Sequence, residues 1–160
     1  MEFEPIGIIR SPHFYAAGTP IQPCFAEDCR GVIELRPGLA DGLMDLEGFD
    51  RIWVIYVFDR TQFEGLQVVP YRDPNPHGIF ATRAPARPNP IGISCVRLAG
   101  IRGHMLDVED VDILDGTPVL DIKPYIPEFD AHPQARAGWM DSDAVRRGPQ
   151  VADGRFEKRG

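Results

Sequence analysis

The chain lacks long apolar runs. No stretch of its 160 residues approaches 18 consecutive apolar positions, and no basic segment leads into an apolar one at its start. A spanning helix and a secretory leader are therefore not expected, and the reading is of a soluble, cytoplasmic protein with no membrane partner. Cysteine is scarce. Cys24, Cys29 and Cys95 cannot make a closed disulfide framework, which suits a reducing compartment. Cys24 and Cys29 have no His nearby, and His13, His77, His104 and His132 are scattered singly, so no structural metal is expected. Bases are outnumbered 17 to 24, for a net charge of −7, which argues against a generic polybasic coat for nucleic acid or membrane while leaving a local basic patch open. G-x-G-x-x-G, a Gly-rich loop ending in G-K-[ST], H-E-x-x-H and G-x-S-x-G are all missing. Ordinary Rossmann enzymes, P-loop NTPases, zincins and α/β-hydrolases lose their main sequence support.

What is present reads as sheet. A chain this long buries roughly two-thirds of its unfolded surface in a single core. Residues 5–10 and 31–36 are short, β-branched and bounded by Pro or Gly, and 51–59 (RIWVIYVFD) is a central strand ending at a rim formed by Asp59, Arg60 and Thr61. Strands are also expected at 66–69 paired with 91–99, in a hairpin turning at Gly103-His104, and at 119–125 after a tight turn at Asp115-Gly116. Leu39, Leu43 and Leu46 predict a short helix within 37–49, and a weak helix is expected over 134–147, with fraying from Gly148 onward. The segment between the first two strands is too long for an ordinary connection and reads as an irregular crossing or lid. The expected fold is mostly β, a compact closed or nearly closed barrel with short helices and a partly irregular C-terminal segment. Its boundaries are a barrel domain over 1–140 and a polar tail over 141–160.

Two stretches carry unusual chemistry. In GIFATRAPARPNPIGIS (78–94), Pro85, Pro88 and Pro90 force the preceding residues out of the α region, so Thr82, Arg83, Arg87, Asn89 and Ser94 stand on a stiff, extended backbone. That composition suits recognition of a polar ligand; a rigid connection with hydrated arginines is the alternative. In VDILDGTPVLDIKPY (111–125), Asp112 and Asp115 flank a strand end. Asp115 reads as a turn cap and Asp112 as the ligand contact. Charge is uneven: 72–102 carries five bases and one acid (+4), 107–130 one base and eight acids (−7), and 146–160 five bases and two acids (+3). A fold that gathers Arg10, Arg83, Arg87 and the tail would face a polyanion; otherwise these are solubilising charges.

Taken in order, PIGIIRSP, FDRIWVIYVF, FATRAPARPNPIGIS and DILDGTPVLDIKPYIP resemble the TrmO (YaeB or TsaA-like) family of S-adenosylmethionine-dependent tRNA methyltransferases over about residues 3–139. The resemblance implies a β-barrel enzyme outside the Rossmann and knotted classes, working as a homodimer. The implied reaction places a methyl group on N6 of threonylcarbamoyladenosine, immediately 3′ of the anticodon in tRNA-Thr. It implies a donor site built from Pro23, Cys24, Phe25, Asp59, Arg60, Arg83, Ile93 and the segment Glu109, Asp110, Val111, Asp112. Asp59 and Arg60 stand where the family usually has His followed by Gln or Arg. The longer bacterial members' C-terminal tRNA-binding domain is not expected in this chain.

Arg83, Asn89 and Asp112 are assigned to positioning the reacting groups, with a carboxylate or backbone carbonyl accepting the N6 proton. Arg10 and Arg87 are candidates for RNA contacts, and Tyr125 and Trp139 for base stacking or for sealing the barrel or subunit contact. Two other readings stand beside this one: methylation of another RNA or polar small molecule, and a non-catalytic S-adenosylmethionine-binding module.

Overall fold

The computed structural model describes residues 2–158. Within them run β1 (Gly7–Arg10), β2 (Gly31–Leu35), β3 (Arg51–Val57), β4 (Gln67–Val68), β5 (His77–Gly78), β6 (Ile91–Arg102), β7 (Met105–Glu109) and β8 (Pro118–Pro124). Six of these close into an antiparallel barrel of order β1-β2-β7-β6-β3-β8, with β8 returning to β1. Closure leaves this sheet no unpaired edge. The alternation that marks the strands also builds the core. Ile9, Ile33, Ile52, Val54, Val96, Leu106, Val108 and Val119 are 0–1% exposed, each contributing about 1.5–3 kcal/mol by leaving water. The β6–β7 turn at Gly103-His104 is as expected, with Gly103 at φ +62 where a side chain would be strained.

Several expectations are corrected. Residues 67–68 pair with 77–78, whereas β6 pairs with β3 and β7 and runs three residues past Ala99. No α-helix forms over 37–49; two 3-10 segments, Pro37–Leu43 and Leu46–Gly48, replace it. Gly38 and Gly42 lower helical propensity, and Asp45 in the left-handed region (φ 65) separates the two turns. Over 134–147 a 3-10 turn at Gly138–Asp141 is followed by a single helical turn at Asp143–Arg146, capped by Ser142.

The fraying expected from Gly148 is also overturned, because the segment finds backbone partners far away in sequence. Gln150 O accepts from Ile21 N at 3.0 Å, Ala152 O from Gly18 N at 2.8 Å, and Arg60 O from Lys158 N at 3.0 Å. Residues 148–158 thus form a strap tying the lid (residues 11–29) to the end of β3. Arg159, read as part of the polar tail, lies outside the described residues.

Candidate active site at the barrel mouth

The barrel interior changes from aliphatic to polar at the C-terminal end of β3. Inward parity gives Ile52, Val54, then Tyr56 on β3, and on its neighbour β6 Val96, Ser94, then Gly92. Beyond β7, Asp110 adopts φ 62 and turns the chain so that Val111 enters the core and Asp112 reaches Ser94. Ser94 Oγ donates to Asp112 Oδ1 at 2.7 Å, and Tyr56 Oη lies 3.2 Å from Ser94 Oγ. With Asp112 ionised, the serine's one proton is committed to the carboxylate, so the tyrosine hydroxyl is the donor to serine. Burial pushes the Asp112 carboxyl up to about 7, against the opposing pull of Ser94, its own backbone N–H and Arg83. Burial, and then the charge of Asp112, hold the Tyr56 hydroxyl far above its ordinary value. It is a neutral donor throughout the physiological range.

Above this floor opens a cavity of about 720 Å³, within the roughly 300–1,000 Å³ typical of small-molecule sites. The lid contributes Ile21, Gln22 and Phe25, the end of β3 contributes Asp59 and Arg60, and the strap contributes Ala152 and Phe156. The proline-rich segment forms a further wall. It is tied to the end of β3 by Phe58 N–H donating to Pro90 O at 2.7 Å and by Thr61 Oγ donating to Pro85 O at 3.2 Å. Arg83 Nη1 donates to Gln22 Oε1 at 2.6 Å and meets no carboxylate among the described residues. Arg87 Nη1 donates to Thr82 O at 2.9 Å and Ala84 O at 3.2 Å, folding its own loop.

Of the residues read from sequence, Phe25, Asp59, Arg60, Arg83, Arg87, Ile93 and Asp112 line this cavity. Pro23 and Cys24 share a 3-10 turn with Phe25 but do not line it. Glu109 and Asp110 meet Arg97 at 2.7 Å and Arg51 at 2.9 Å, and Val111 is wholly buried. Asn89 is exposed outside the cavity, its carbonyl accepting from Ile91 N at 2.7 Å. Arg10 lies beside Glu34. Tyr125 packs edge-on to Trp53 and bonds Arg51 O, at the opposite end of β3 from the cavity. Neither Arg10 nor Tyr125 lines the cavity.

Trp139 lines the cavity, stacked on His77 with centroids 4.2 Å apart, its indole N–H donating to Ala81 O at 2.8 Å. Two floor residues escaped the functional reading: Tyr56 entirely, and Ser94 except as one polar group of its segment. The available signal was parity, a hydroxyl at an inward position of a strand otherwise aliphatic on that face. Among the described residues no three His, Cys, Asp or Glu converge to hold a metal ion.

The arrangement offers a carboxylate able to gain or lose a proton near neutrality, a guanidinium with no carboxylate partner among the described residues, and apolar walls from Phe25, Phe58 and Ile113. It suits a small organic ligand bearing both a positive and a negative group.

Residues 8–131 match the family model of the tRNA-methyltransferase O N-terminal domain. A probable S-adenosyl-L-methionine-binding protein of Pyrococcus abyssi is 51% identical over 154 residues, 96% of this chain and 84% of that protein. The tRNA (adenine(37)-N6)-methyltransferase of Escherichia coli is 38% identical over 88% of this chain and 64% of its own length. The crystal structure of TrmO from Pseudomonas aeruginosa superposes with a TM-score of 0.74 at 40% identity, covering 88% of this chain and 63% of that one. The chain therefore spans just under two-thirds of the latter two proteins.

Proposed function

The chain belongs to the tRNA-methyltransferase O family, matched through its N-terminal domain, and from that premise we propose that it binds S-adenosylmethionine and methylates N6 of adenine in tRNA. The finer reading is N6 of threonylcarbamoyladenosine, immediately 3′ of the anticodon in tRNA-Thr, by a homodimer. The observation that carries the proposal is the convergence of Arg83 and Asp112 on one cavity, the guanidinium close enough for its charge to act on the carboxyl.

The residues present fit such a donor. Arg83 offers its remaining N–H groups to a carboxylate, Asp112 a compensating charge to a cation, and Phe25 and Ile113 an apolar wall to an adenosyl group. When bound, S-adenosylmethionine supplies a methyl on positive sulfur; transfer forms the N–C bond, breaks the C–S bond with its electron pair left on sulfur, and requires the acceptor nitrogen to shed one proton. Asp112 is the proton acceptor in this reading, its carboxyl titrating near neutrality. Arg83 stays protonated and positions. Arg87 stiffens the wall that carries Arg83, and the lid and strap exclude water from the floor.

The homodimer reading is supported by apolar side chains left at the cavity rim, with Phe80 76% exposed and Ile91 and Ile93 each 44%. Sedimentation at micromolar concentration tests it, the expected species having twice the chain mass and a sole monomer opposing it. The activity is tested by incubating the protein and labelled S-adenosylmethionine with total tRNA lacking the modification, followed by nucleoside mass analysis. Label in N6-methylated threonylcarbamoyladenosine supports the full reading. Label in a different nucleoside retains the methyltransferase and replaces the acceptor, and donor binding without product leaves a binding module.

A further inference from the structure

We infer that Ser94, steered by Tyr56 and Gly92, is a positioning residue that fixes one carboxylate oxygen of Asp112 so that the other faces the cavity as the proton acceptor. The inference rests on the proposed methyl transfer and adds a supporting layer to it.

Ser94 is 1% exposed, and among the described residues no other side chain donates to Asp112. A carboxylate held by one short, charge-assisted bond keeps one rotamer and one defined free oxygen. Ser94's own rotamer is set by the tyrosine hydroxyl 3.2 Å away. The tyrosine ring is fixed in turn by the bare backbone of Gly92 directly across the ladder, where a Cβ would lie 2.3 Å from Tyr56 Cε2. On its other side the ring meets Phe58 edge-on, with centroids 5.2 Å apart. The chain Gly92, Tyr56, Ser94, Asp112 thus runs across two strands to the cavity floor. Among the described residues, the charged group that acts on Asp112 is Arg83 from the proline-rich segment, and Asp112 in turn acts on Tyr56 from β3.

A serine that merely satisfies a buried carboxyl also shifts its titration when removed. The separating readout is therefore kcat on the alkaline plateau, where Asp112 is ionised in parent and variant alike: a positioning serine lowers it, and a plateau kcat unchanged in S94A would overturn the inference. The test uses S94A, the hydroxyl-retaining S94T, and Y56F, which removes the donor to Ser94. Carboxyl carbon NMR of the ligand-free protein reads the Asp112 titration, and steady-state transfer to tRNA across pH reads the reaction. Losing a hydrogen bond to a charged group raises the titration midpoint by about one pH unit or more. The expected results for S94A are that rise, a matching displacement of the pH–rate profile, and about a tenfold fall in kcat with KM for tRNA within twofold. Y56F moves in the same direction by less, and S94T restores the parent values.

A midpoint and pH profile unchanged in both S94A and Y56F would overturn the inference. So would an S94T protein, folded by circular dichroism, that behaves as S94A. Should S94A fail to fold, Y56F and S94T still decide the matter. Absence of transfer by the parent protein would instead defeat the proposed function, and the NMR titration separates the two failures.

Discussion

Replacing Gly92 with alanine tests the packing beneath the candidate site. The added Cβ would fall 2.3 Å from Tyr56 Cε2 and 2.4 Å from Cζ, where carbon atoms rest at about 3.5 Å or more. The ring has to retreat by more than about 1 Å, yet Tyr56 is only 5% exposed and Phe58 flanks it. Overpacking of this kind costs about 1–3 kcal/mol. Retreat also withdraws the hydroxyl from Ser94, and an unpaired buried hydroxyl costs about 1–3 kcal/mol. Because relaxing the clash and keeping the hydrogen bond are alternatives for the ring, we expect about 2–4 kcal/mol in total. Urea unfolding followed by tryptophan fluorescence measures it as a lower midpoint at unchanged slope. In a Y56A background the same substitution enters vacated space and should cost less than about 0.5 kcal/mol, giving a coupling well above the level of independent sites. An equal cost in both backgrounds, or a G92A midpoint matching the parent, refutes the reasoning.

Three further outcomes follow. Burial raises the Asp112 carboxyl from an ordinary 3.8 to about 7, so the advantage of its neutral form is complete below about pH 4 and lost as pH rises through 7; the Tm of D112N should therefore pull ahead of the parent between pH 5 and 8, and a pH-independent difference would contradict this. Cys24 is exposed, whereas burial raises the half-buried Cys29 and Cys95 thiols; Ellman's reagent at pH 7.5 should find one fast thiol, abolished in C24S, and survival of that phase would be the contrary result. Truncation after Arg147 removes the backbone partners of Gly18, Thr19 and Ile21, so limited proteolysis should open a new cleavage within residues 14–22; an unchanged digestion pattern would show that the strap does not hold the lid.

The strands were legible because their order is local and periodic. β3 was readable from its own side chains, which put Asp59 and Arg60 at a rim; that this rim belongs to a ligand site came from the family resemblance. Asp112 was reachable because a carboxylate at a strand end has few roles. The polar floor was not reachable in the same way. Tyr56 and Ser94 meet only because β3 pairs with β6 in the register Tyr56↔Gly92 and Val54↔Ser94, which no single segment specifies. The strap is the opposite failure: residues 148–158 carry weak local signals, and their order comes from hydrogen bonds to a lid more than 120 residues away in sequence. The 3-10 turns at 37–48 show a third kind, where leucine spacing marks a helical face but Gly38, Gly42 and the left-handed Asp45 prevent an α-helix.

The most direct measurement is a crystal structure of the protein with S-adenosylhomocysteine, the product form of the donor. The account predicts ligand density in the barrel-mouth cavity, its carboxylate within hydrogen-bond reach of Arg83 and its sulfur on the Asp112 side. Density elsewhere on the molecule, with Arg83 still bonded only to Gln22 and the cavity filled by solvent, would contradict it.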